Sequence, residues 1–285
     1  MELKKINCYL CDGKDFSTIS KGVRDNPDLN VLRCKECGLV FLDSFGHIAP
    51  HFYENSGMHK DSNQSIESWI RDTSADDLKR LKQYSHVITN KSVLDFGCGN
   101  GGFLSLAKNV AASVIGIELE KRVRDHWNNS LDIYESLDRV QDSSIDVITA
   151  FHVVEHLSDP LKILSEFKKK LAPNGLIIIE VPNSDDALLS IFESNAFKEF
   201  TYWSQHLYLY NSSTLRRLIS KSEFKLLAIA YYQRYPLSNH LHWLAKGLPG
   251  GHKNFSFLDA EDLNMAYANS LSRLGATDSL VAYIG

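Results

Sequence analysis

The chain has 285 residues, of which 44% are hydrophobic and 23% are charged, and its formal net charge is -4. This length accommodates one large α/β domain with a small accessory module, and the mildly acidic balance gives no general electrostatic attraction for DNA or RNA. No apolar run approaches the ~20 residues that span a bilayer, and the first residues lack a secretory pattern, so we expect a cytoplasmic protein without a membrane span.

Four of the five cysteines form two C-x-x-C pairs, Cys8 with Cys11 and Cys34 with Cys37. A reducing compartment argues against disulfides, and two such turns complete a tetrahedral four-thiolate site suited to zinc. Residues 1–45 are therefore predicted to be a zinc-ribbon module with a structural metal, since four thiolates leave no open coordination position. The alternatives are four free thiols in a segment with little core, or a redox pair, although neither pair precedes a βαβ helix.

Residues 46–90 are predicted to be a connector that is irregular over 46–62 and helical over 65–87, where apolar residues recur at helical spacing. Residues 91–285 form a third region, in which strands and helices alternate. This alternation is typical of a doubly wound, mainly parallel sheet. Strands are predicted at 92–96, 113–118, 131–134, 145–151, 176–181, 224–232 and 279–284, with an excursion over 231–258 that we expect to cover a ligand.

The first of these strands runs into the segment VLDFGCGNGGFL, in which residues 97–102 fit G-x-G-x-x-G. This pattern occurs in several nucleotide-binding families and is weak by itself. Asp95 discriminates between ligands, because its carboxylate would repel a pyrophosphate and attract a cation. S-adenosylmethionine carries a sulfonium and an ammonium and no phosphate, so it fits this turn. Glu118 ends the next strand, 21 residues after Gly97, where an acid can bind both ribose hydroxyls.

Residues 91–285 resemble the class I S-adenosylmethionine-dependent methyltransferases through several ordered motifs. VLDFGCGNGGFL is similar to their first motif, VIGIELE to their second, SSIDVITAFHVVEHLSDPLKIL to their fourth-strand segment and LAPNGLIIIEVPN to their fifth-strand segment, and QHLYLYNSSTLRRLI continues the order. The resemblance implies a Rossmann-like fold of seven strands and a cofactor site with these residues: Asp95, Gly97, Gly99, Gly101, Glu118, Ser136, Leu137, Phe151 and His152. The glycines are expected along the methionine part, with Asp95 at its ammonium. Ser136 and Leu137 are expected near the adenine, and Phe151 and His152 near the sulfonium.

The run CGLVFLDSFGHIAPHFYE, residues 37–54, resembles the zinc-ribbon leader of bacterial methyltransferases that act on sugars and surface polysaccharides. This second resemblance implies a small-molecule acceptor of carbohydrate type. No pattern in the chain indicates its oligomeric state.

His152, Glu155 and His156 recur at i, i+3 and i+4, so on a helix they would share one face. They follow the strand at 145–151, at the sheet edge where ligands bind, and His206 is expected to return over the same site. Three interpretations stay open. His156 or His206 is a general base for a hydroxyl acceptor; or all four residues hold a divalent metal, as in RNA 2′-O-methyltransferases with a Glu-x-x-Glu-His motif, although His152 replaces the first glutamate; or the four only shape the pocket.

Together these patterns predict a methyltransferase that O-methylates a sugar or a sugar-derived small molecule. One alternative is an RNA methyltransferase whose zinc module grips nucleic acid. The net charge of -4 and the lack of basic residues interleaved with aromatic ones in residues 1–45 count against nucleic acid as a partner. The other alternative is a non-catalytic protein that binds the cofactor or contacts another protein through its zinc ribbon.

Overall fold

The structure, a computed structural model, describes residues 6–48, 52–54 and 64–285. Residues 1–5 of the predicted module and most of the predicted irregular connector over 46–62 lie outside the described residues. The strands are β1 (Phe16–Ser20), β2 (Val31–Cys34), β3 (Val40–Leu42), β4 (Ser92–Phe96), β5 (Ser113–Ile117), β6 (Asp132–Tyr134), β7 (Ile145–Phe151), β8 (Leu171–Pro182), β9 (Tyr208–Leu209), β10 (Leu226–Tyr232) and β11 (Ser279–Ile284). The α-helices are α1 (Ile66–Ile88), α2 (Gly102–Ala107), α3 (Lys121–Trp127), α4 (Pro160–Lys170), α5 (Ala187–Ser190), α6 (Asn195–Thr201), α7 (Ser212–Lys221), α8 (Leu237–Lys246), α9 (Gly251–Asn254) and α10 (Glu261–Leu274).

Seven strands form one sheet in the order β10-β11-β8-β7-β4-β5-β6. Neighbouring strands are parallel except at β11, which is antiparallel to both β10 and β8. The prediction of a mainly parallel, seven-stranded Rossmann-like sheet is confirmed. The strand order reverses between β4 and β7, and in sheets of this kind a ligand binds beyond the carboxyl ends of the strands at such a switch point.

The central strands are apolar along their length because helices cover both faces of the sheet. Val93 and Leu94 are both fully buried, and they belong to two different hydrophobic clusters on opposite faces. The first face packs against α1 and α2, through residues such as Tyr84 and Phe103. The helix α1 begins at Ser65, whose hydroxyl oxygen accepts a hydrogen bond from the Ser68 N–H.

The cysteine-containing segment folds into the antiparallel strands β1, β2 and β3. The short strand β9 joins this sheet as its fourth member, since Val40 pairs with Leu209 and Phe41 with Tyr208. Buried residues of the segment also share one hydrophobic cluster with the second face of the large sheet. The segment is thus anchored to the loop that precedes α7.

The chain beyond β10 is more regular than the predicted excursion over 231–258 suggests, because α8 and α9 occupy half of that range. The strand β8 begins at Leu171, five residues before its predicted start at 176, and pairs irregularly with β7 at that end. Among the described residues, none of the helices combines the length and apolarity needed to cross a bilayer.

Candidate functional site

The two C-x-x-C turns bring four sulfur atoms together. The Cys8 and Cys37 sulfurs are 3.4 Å apart, those of Cys11 and Cys34 are 3.5 Å apart, and all four lie within 4.8 Å of one another. A disulfide bond measures about 2.05 Å, so these are free thiols. Zinc bonds of about 2.3 Å place tetrahedral thiolates about 3.8 Å apart. The donor set and its spacing therefore fit one zinc ion.

The glycine loop after β4 is shaped by two close contacts. Gly97 has φ of 69°, and a Cβ at this position would lie 2.5 Å from a methyl group of Val153. Gly101 has φ of 79°, precedes α2, and leaves room for the Trp127 indole, which a Cβ would approach to 2.5 Å. Only glycine combines this backbone conformation with such approaches. The first contact also joins the loop to the turn that follows β7.

Three buried or half-buried carboxylates surround this loop. Asp95 is 3% exposed and accepts a 2.7 Å hydrogen bond from the Thr149 hydroxyl. Burial raises the pKa of Asp95 to about 7, more than Thr149 and Arg80 lower it. Burial also raises the pKa of Asp77 on α1, whose carboxylate lies against the start of α2 at Gly102. The loop is thus surrounded by negative charge that the protein itself only partly compensates.

Glu118 is the third carboxylate, and it is bound to the loop itself. Its Oε2 accepts a hydrogen bond of 3.0 Å from the Gly99 N–H, and its Oε1 accepts one of 2.9 Å from the Glu120 N–H. Burial raises the pKa of Glu118 in spite of these donors. The predicted pair of acids, one at the end of β4 and one just after β5, therefore meets at one side of the glycine loop.

The other predicted cofactor residues fall into two groups. Ser136 follows β6 at the same sheet edge and caps a 3-10 turn, in which the Leu137 side chain is buried. Phe151 ends β7, but its ring stacks on Tyr84 at 5.5 Å and lies under the Arg80 guanidinium at 4.6 Å. The Phe151 side chain therefore packs under α1, and its backbone is what reaches the sheet edge.

The turn after β7 is not the helix that the spacing of its polar residues suggests. Only Val154–His156 form a short 3-10 turn. His152 precedes it with φ of 56°, a left-handed conformation that costs free energy for a non-glycine residue. A 2.8 Å hydrogen bond from the His152 N–H to the Glu180 carbonyl stabilises this reversal. The expectation that His152, Glu155 and His156 share one helical face is wrong, because the chain turns sharply at the end of β7.

The His152 ring lies between two carboxylates. Its Nε2 is 2.8 Å from Glu180 Oε1, and its Nδ1 is 3.4 Å from Glu155 Oε1. Burial would lower the pKa of His152, but the two carboxylates outweigh it and raise the pKa. Burial would raise the pKa of Glu180, but His152 and Arg80 outweigh it and lower the pKa to about 2. These contacts favour a protonated His152 in an ion pair and disfavour this ring as a base.

His156 and His206 each have one ring nitrogen fixed as a donor. The His156 Nδ1 is 2.7 Å from the Gln205 carbonyl oxygen, and the His206 Nδ1 is 3.0 Å from the Thr201 carbonyl oxygen. A carbonyl oxygen only accepts, so each Nδ1 carries the proton and each Nε2 of the neutral ring keeps a lone pair. Burial lowers the pKa of both rings, to about 3 for His206. Both rings are therefore neutral near pH 7.

Glu155 lies between these rings and is fully buried. Its Oε1 is 4.0 Å from His156 Nε2, and one ligand atom each from Glu155, His156 and His206 lies within 4.8 Å of the others. Neither Glu155 oxygen has a partner with hydrogen-bond geometry among the described residues. Six of the nine such buried atoms in the described part of the chain belong to these five residues: Glu155, Glu180, Ser184, Gln205 and Tyr210. Glu155 Oε1 lies 3.4 Å from His152 Nδ1 and Glu180 Oε2 lies 3.6 Å from Arg80 Nε, so these two atoms have charged neighbours in place of hydrogen-bond partners. Buried polar atoms without partners are uncommon, so the others mark polar groups that the described residues leave unsatisfied.

A sequence-family model described as a methyltransferase domain matches residues 66–229, more than half of the chain. The chain belongs to the methyltransferase family. Its curated relatives include two ubiquinone biosynthesis O-methyltransferases. That of Neisseria meningitidis is 34% identical over 112 residues, covering 34% of this chain and 47% of the relative. That of Pasteurella multocida is 32% identical over 164 residues, covering 50% of this chain and 64% of the relative. The chain thus spans about half to two thirds of the length of these relatives.

A solved structure of an S-adenosylmethionine-dependent methyltransferase from Archaeoglobus fulgidus is similar to this methyltransferase with a TM-score of 0.50 and 20% identity. The similarity covers 77% of this chain and 94% of that one, and at this identity it shows the fold alone. The methyltransferase fold supports S-adenosylmethionine as the molecule that binds at the glycine loop.

Sequence reasoning missed two acids of the candidate site. Asp77 lies on α1 at helical spacing from Ile70 and Tyr84, so the signal for it was an acid within the apolar face of that helix, and the packing of α1 on α2 brings it to the loop. Glu180 lies within β8, and the signal for it was a single charge in the apolar run LIIIEV. A lone acid in a fully buried strand requires a partner, and that partner is His152.

Proposed function

We propose that this chain is an S-adenosylmethionine-dependent O-methyltransferase of the cytoplasm, acting on a carbohydrate-type small molecule, with His156 as general base. The observation that carries the proposal is the arrangement of His156 and the buried Glu155. A neutral ring with a free Nε2 lone pair adjoins the fully buried Glu155 carboxylate, which His152 contacts at 3.4 Å. The relatives named as O-methyltransferases support an oxygen acceptor.

Bound S-adenosylmethionine would supply an electrophilic methyl group on its sulfonium. Asp95 and Asp77 would neutralise the positive charge of the ligand, Glu118 would exchange its backbone donors for the ribose hydroxyls, and Gly97 would keep the left-handed turn that packs against Val153. The ring of Trp69, against which a Cβ on Gly99 would lie at 3.5 Å, would form one wall.

His156 would accept the acceptor proton at Nε2 while its Nδ1–H keeps the ring oriented against the Gln205 carbonyl. The positive charge that develops on the ring would be stabilised by Glu155, whose oxygen is 4.0 Å away. Burial gives His206 a pKa of about 3, which makes it the weaker base of the two, so we assign it to positioning.

The test is His156→Gln and His206→Gln in the full chain, once a screen of nucleotide sugars and polysaccharide precursors has found an acceptor that gains one methylene mass. A general base contributes about 10²–10⁴-fold to a rate, so we expect that loss in His156→Gln, with unchanged affinity for S-adenosylmethionine. His86→Gln, at the last turn of α1, is the matched control. Full activity of His156→Gln would contradict the assignment.

A second candidate is a divalent metal held by Glu155, His156 and His206. It is favoured by the donor set, in which one carboxylate and two imidazoles each place a ligand atom within 4.8 Å of the others while each Nδ1–H donates to a backbone carbonyl. His152, the fourth predicted ligand, is engaged with Glu180. The metal would orient the acceptor oxygens. Activity that survives removal of divalent ions by a chelator would exclude this candidate.

The four cysteines would hold one structural zinc ion. Metal analysis of the purified chain should find about one zinc per chain, and Cys34→Ser should lower both the zinc content and the unfolding temperature. A folded protein that contains no zinc would contradict this part of the proposal. A nucleic-acid acceptor is not favoured, given the net charge of -4.

A further inference from the structure

A cavity of about 380 Å³ lies between the cysteine module and the segment that follows β8. Strands β1 and β2 line one side of it, and residues 184–202, including parts of α5 and α6, line the other. Its volume is within the range of small-molecule sites, about 300–1,000 Å³. The segment 184–202 runs from the carboxyl end of β8 to the loop that carries His206, so the cavity adjoins the acceptor side of the sheet.

Four charged side chains line this cavity, two of each sign. Arg33 and Lys198 are the cations, and Asp185 and Glu193 are the anions. Within residues 6–48, 52–54 and 64–285, none of these four side chains forms an ion pair within 4 Å or a side-chain hydrogen bond. Side chains of both charges nevertheless line the same cavity. The cavity therefore presents two cationic and two anionic groups with no net charge, of which Arg33 and Glu193 are also exposed to solvent.

Two buried residues add to this lining. Ser184 is 4% exposed, and its hydroxyl has no hydrogen-bond partner among the described residues. The Ser184 oxygen has almost no accessible surface, so this residue closes the buried wall of the cavity, and the charged side chains are the groups that a ligand reaches. Tyr202 is 6% exposed and places an aromatic side chain in the same wall. These two residues distinguish the cavity from a gap between surface charges.

We propose that this cavity is the subsite that holds a sugar ring of the acceptor, an inference that rests on the proposed methyltransferase function. Each hydroxyl of a sugar both donates and accepts a hydrogen bond, which matches a lining of paired donors and acceptors without net charge. A phosphate group would face Asp185 and Glu193, and the quinone-type ring of an apolar acceptor would cover charged side chains without giving them hydrogen-bond partners. The cysteine module thereby contributes Arg33 directly to acceptor binding.

The test is saturation-transfer NMR on the full chain with S-adenosylhomocysteine present, using the methyl glycosides of glucose, mannose, galactose and rhamnose as probes. We expect at least one glycoside to bind wild type with millimolar affinity, and Lys198→Met and Glu193→Gln each to weaken its signal at least five-fold. Glu199→Gln, one residue beyond Lys198 on α6, is the matched control and should keep the signal. Unfolding temperatures identify any variant that fails to fold, and Tyr202→Phe then replaces it.

The proposal is overturned if no glycoside binds, if the cavity variants bind as wild type does, or if inorganic phosphate or catechol gives the signal that the variants remove. This measurement records binding and no methyl transfer. Its failure therefore leaves methylation by the histidine site intact, whereas glycoside binding together with full activity of His156→Gln contradicts only the proposed base.

Discussion

Asp95 illustrates how a single buried acid selects a ligand. It lies at the end of β4 with Asp77 and Glu118 close enough to raise its pKa further, and Arg80 and the Thr149 hydroxyl offset only part of this effect. A cationic ligand at the glycine loop would lower the pKa of all three acids, whereas a pyrophosphate would raise it. The buried charge of Asp95 therefore lowers the folding stability of the ligand-free protein and favours the binding of a cationic ligand.

Asp95→Asn should stabilise the ligand-free protein and abolish tight binding of S-adenosylmethionine. The pKa of Asp95 is raised from 3.8 to about 7, so between these values the folded state binds more protons than the unfolded state. Its stability contribution is present at low pH and is lost as the pH rises towards 7. Denaturant unfolding at pH 5 and pH 8 should show a larger free energy of unfolding for the variant than for wild type, and this difference should grow with pH to the order of 2 kcal/mol. Asp132→Asn, exposed on β6, is the control, and an advantage that shrinks with pH would contradict the assignment.

The loop from Tyr202 to Leu209 is held between two elements that are remote in sequence. On one side, Asp25 accepts hydrogen bonds of 2.9 and 2.7 Å from the Ser204 N–H and hydroxyl, and β3 pairs with β9. On the other side, the Leu207 N–H donates to the Glu155 carbonyl at 2.9 Å. The cysteine module thereby supports the loop that carries His206.

Asp25→Ala should loosen this loop without unfolding the sheet. Loss of two hydrogen bonds to a carboxylate should raise amide exchange in residues 202–207 about five-fold to ten-fold, because local opening then costs less free energy. Hydrogen exchange with mass spectrometry on the full chain measures this effect. Asp28→Ala, in the same exposed turn, serves as the control, and equal exchange in the two variants would mean that Asp25 does not hold the loop.

At the scale of the whole molecule, sequence patterns predict the large sheet well because its strands are short apolar runs separated by helices. The strand at 145–151 has the predicted bounds, and the strands at 92–96 and 279–284 do as well. The pairing of β9 with β3 could not be predicted from the sequence. The two residues of β9 carry no periodic signal, and their partners in β3 lie more than 160 positions earlier. The left-handed turn at His152 was missed for a related reason: spacing alone does not show where a strand reverses.

The candidate site was predicted unevenly for the same physical reason. Asp95, Glu118 and the glycines lie at strand ends, where sequence order dictates position in a parallel sheet. The contact of Asp77 with the loop, and the cavity of Arg33, Ser184 and Lys198, depend on how separate elements pack, which no local pattern records. The cluster of Glu155, His156 and His206 lies between these cases. Glu155 and His156 are adjacent in sequence, but His206 lies on a distant loop.

Calorimetric titration of the full chain with S-adenosylmethionine and with a nicotinamide dinucleotide tests the central claim, that buried acids at a glycine loop bind a cation. We predict one site per chain for S-adenosylmethionine, with weaker affinity at pH 6 than at pH 8 because Asp95 takes up a proton as the pH falls through about 7, and no heat from the dinucleotide. Binding of the dinucleotide, with no binding of S-adenosylmethionine at either pH, would contradict the account.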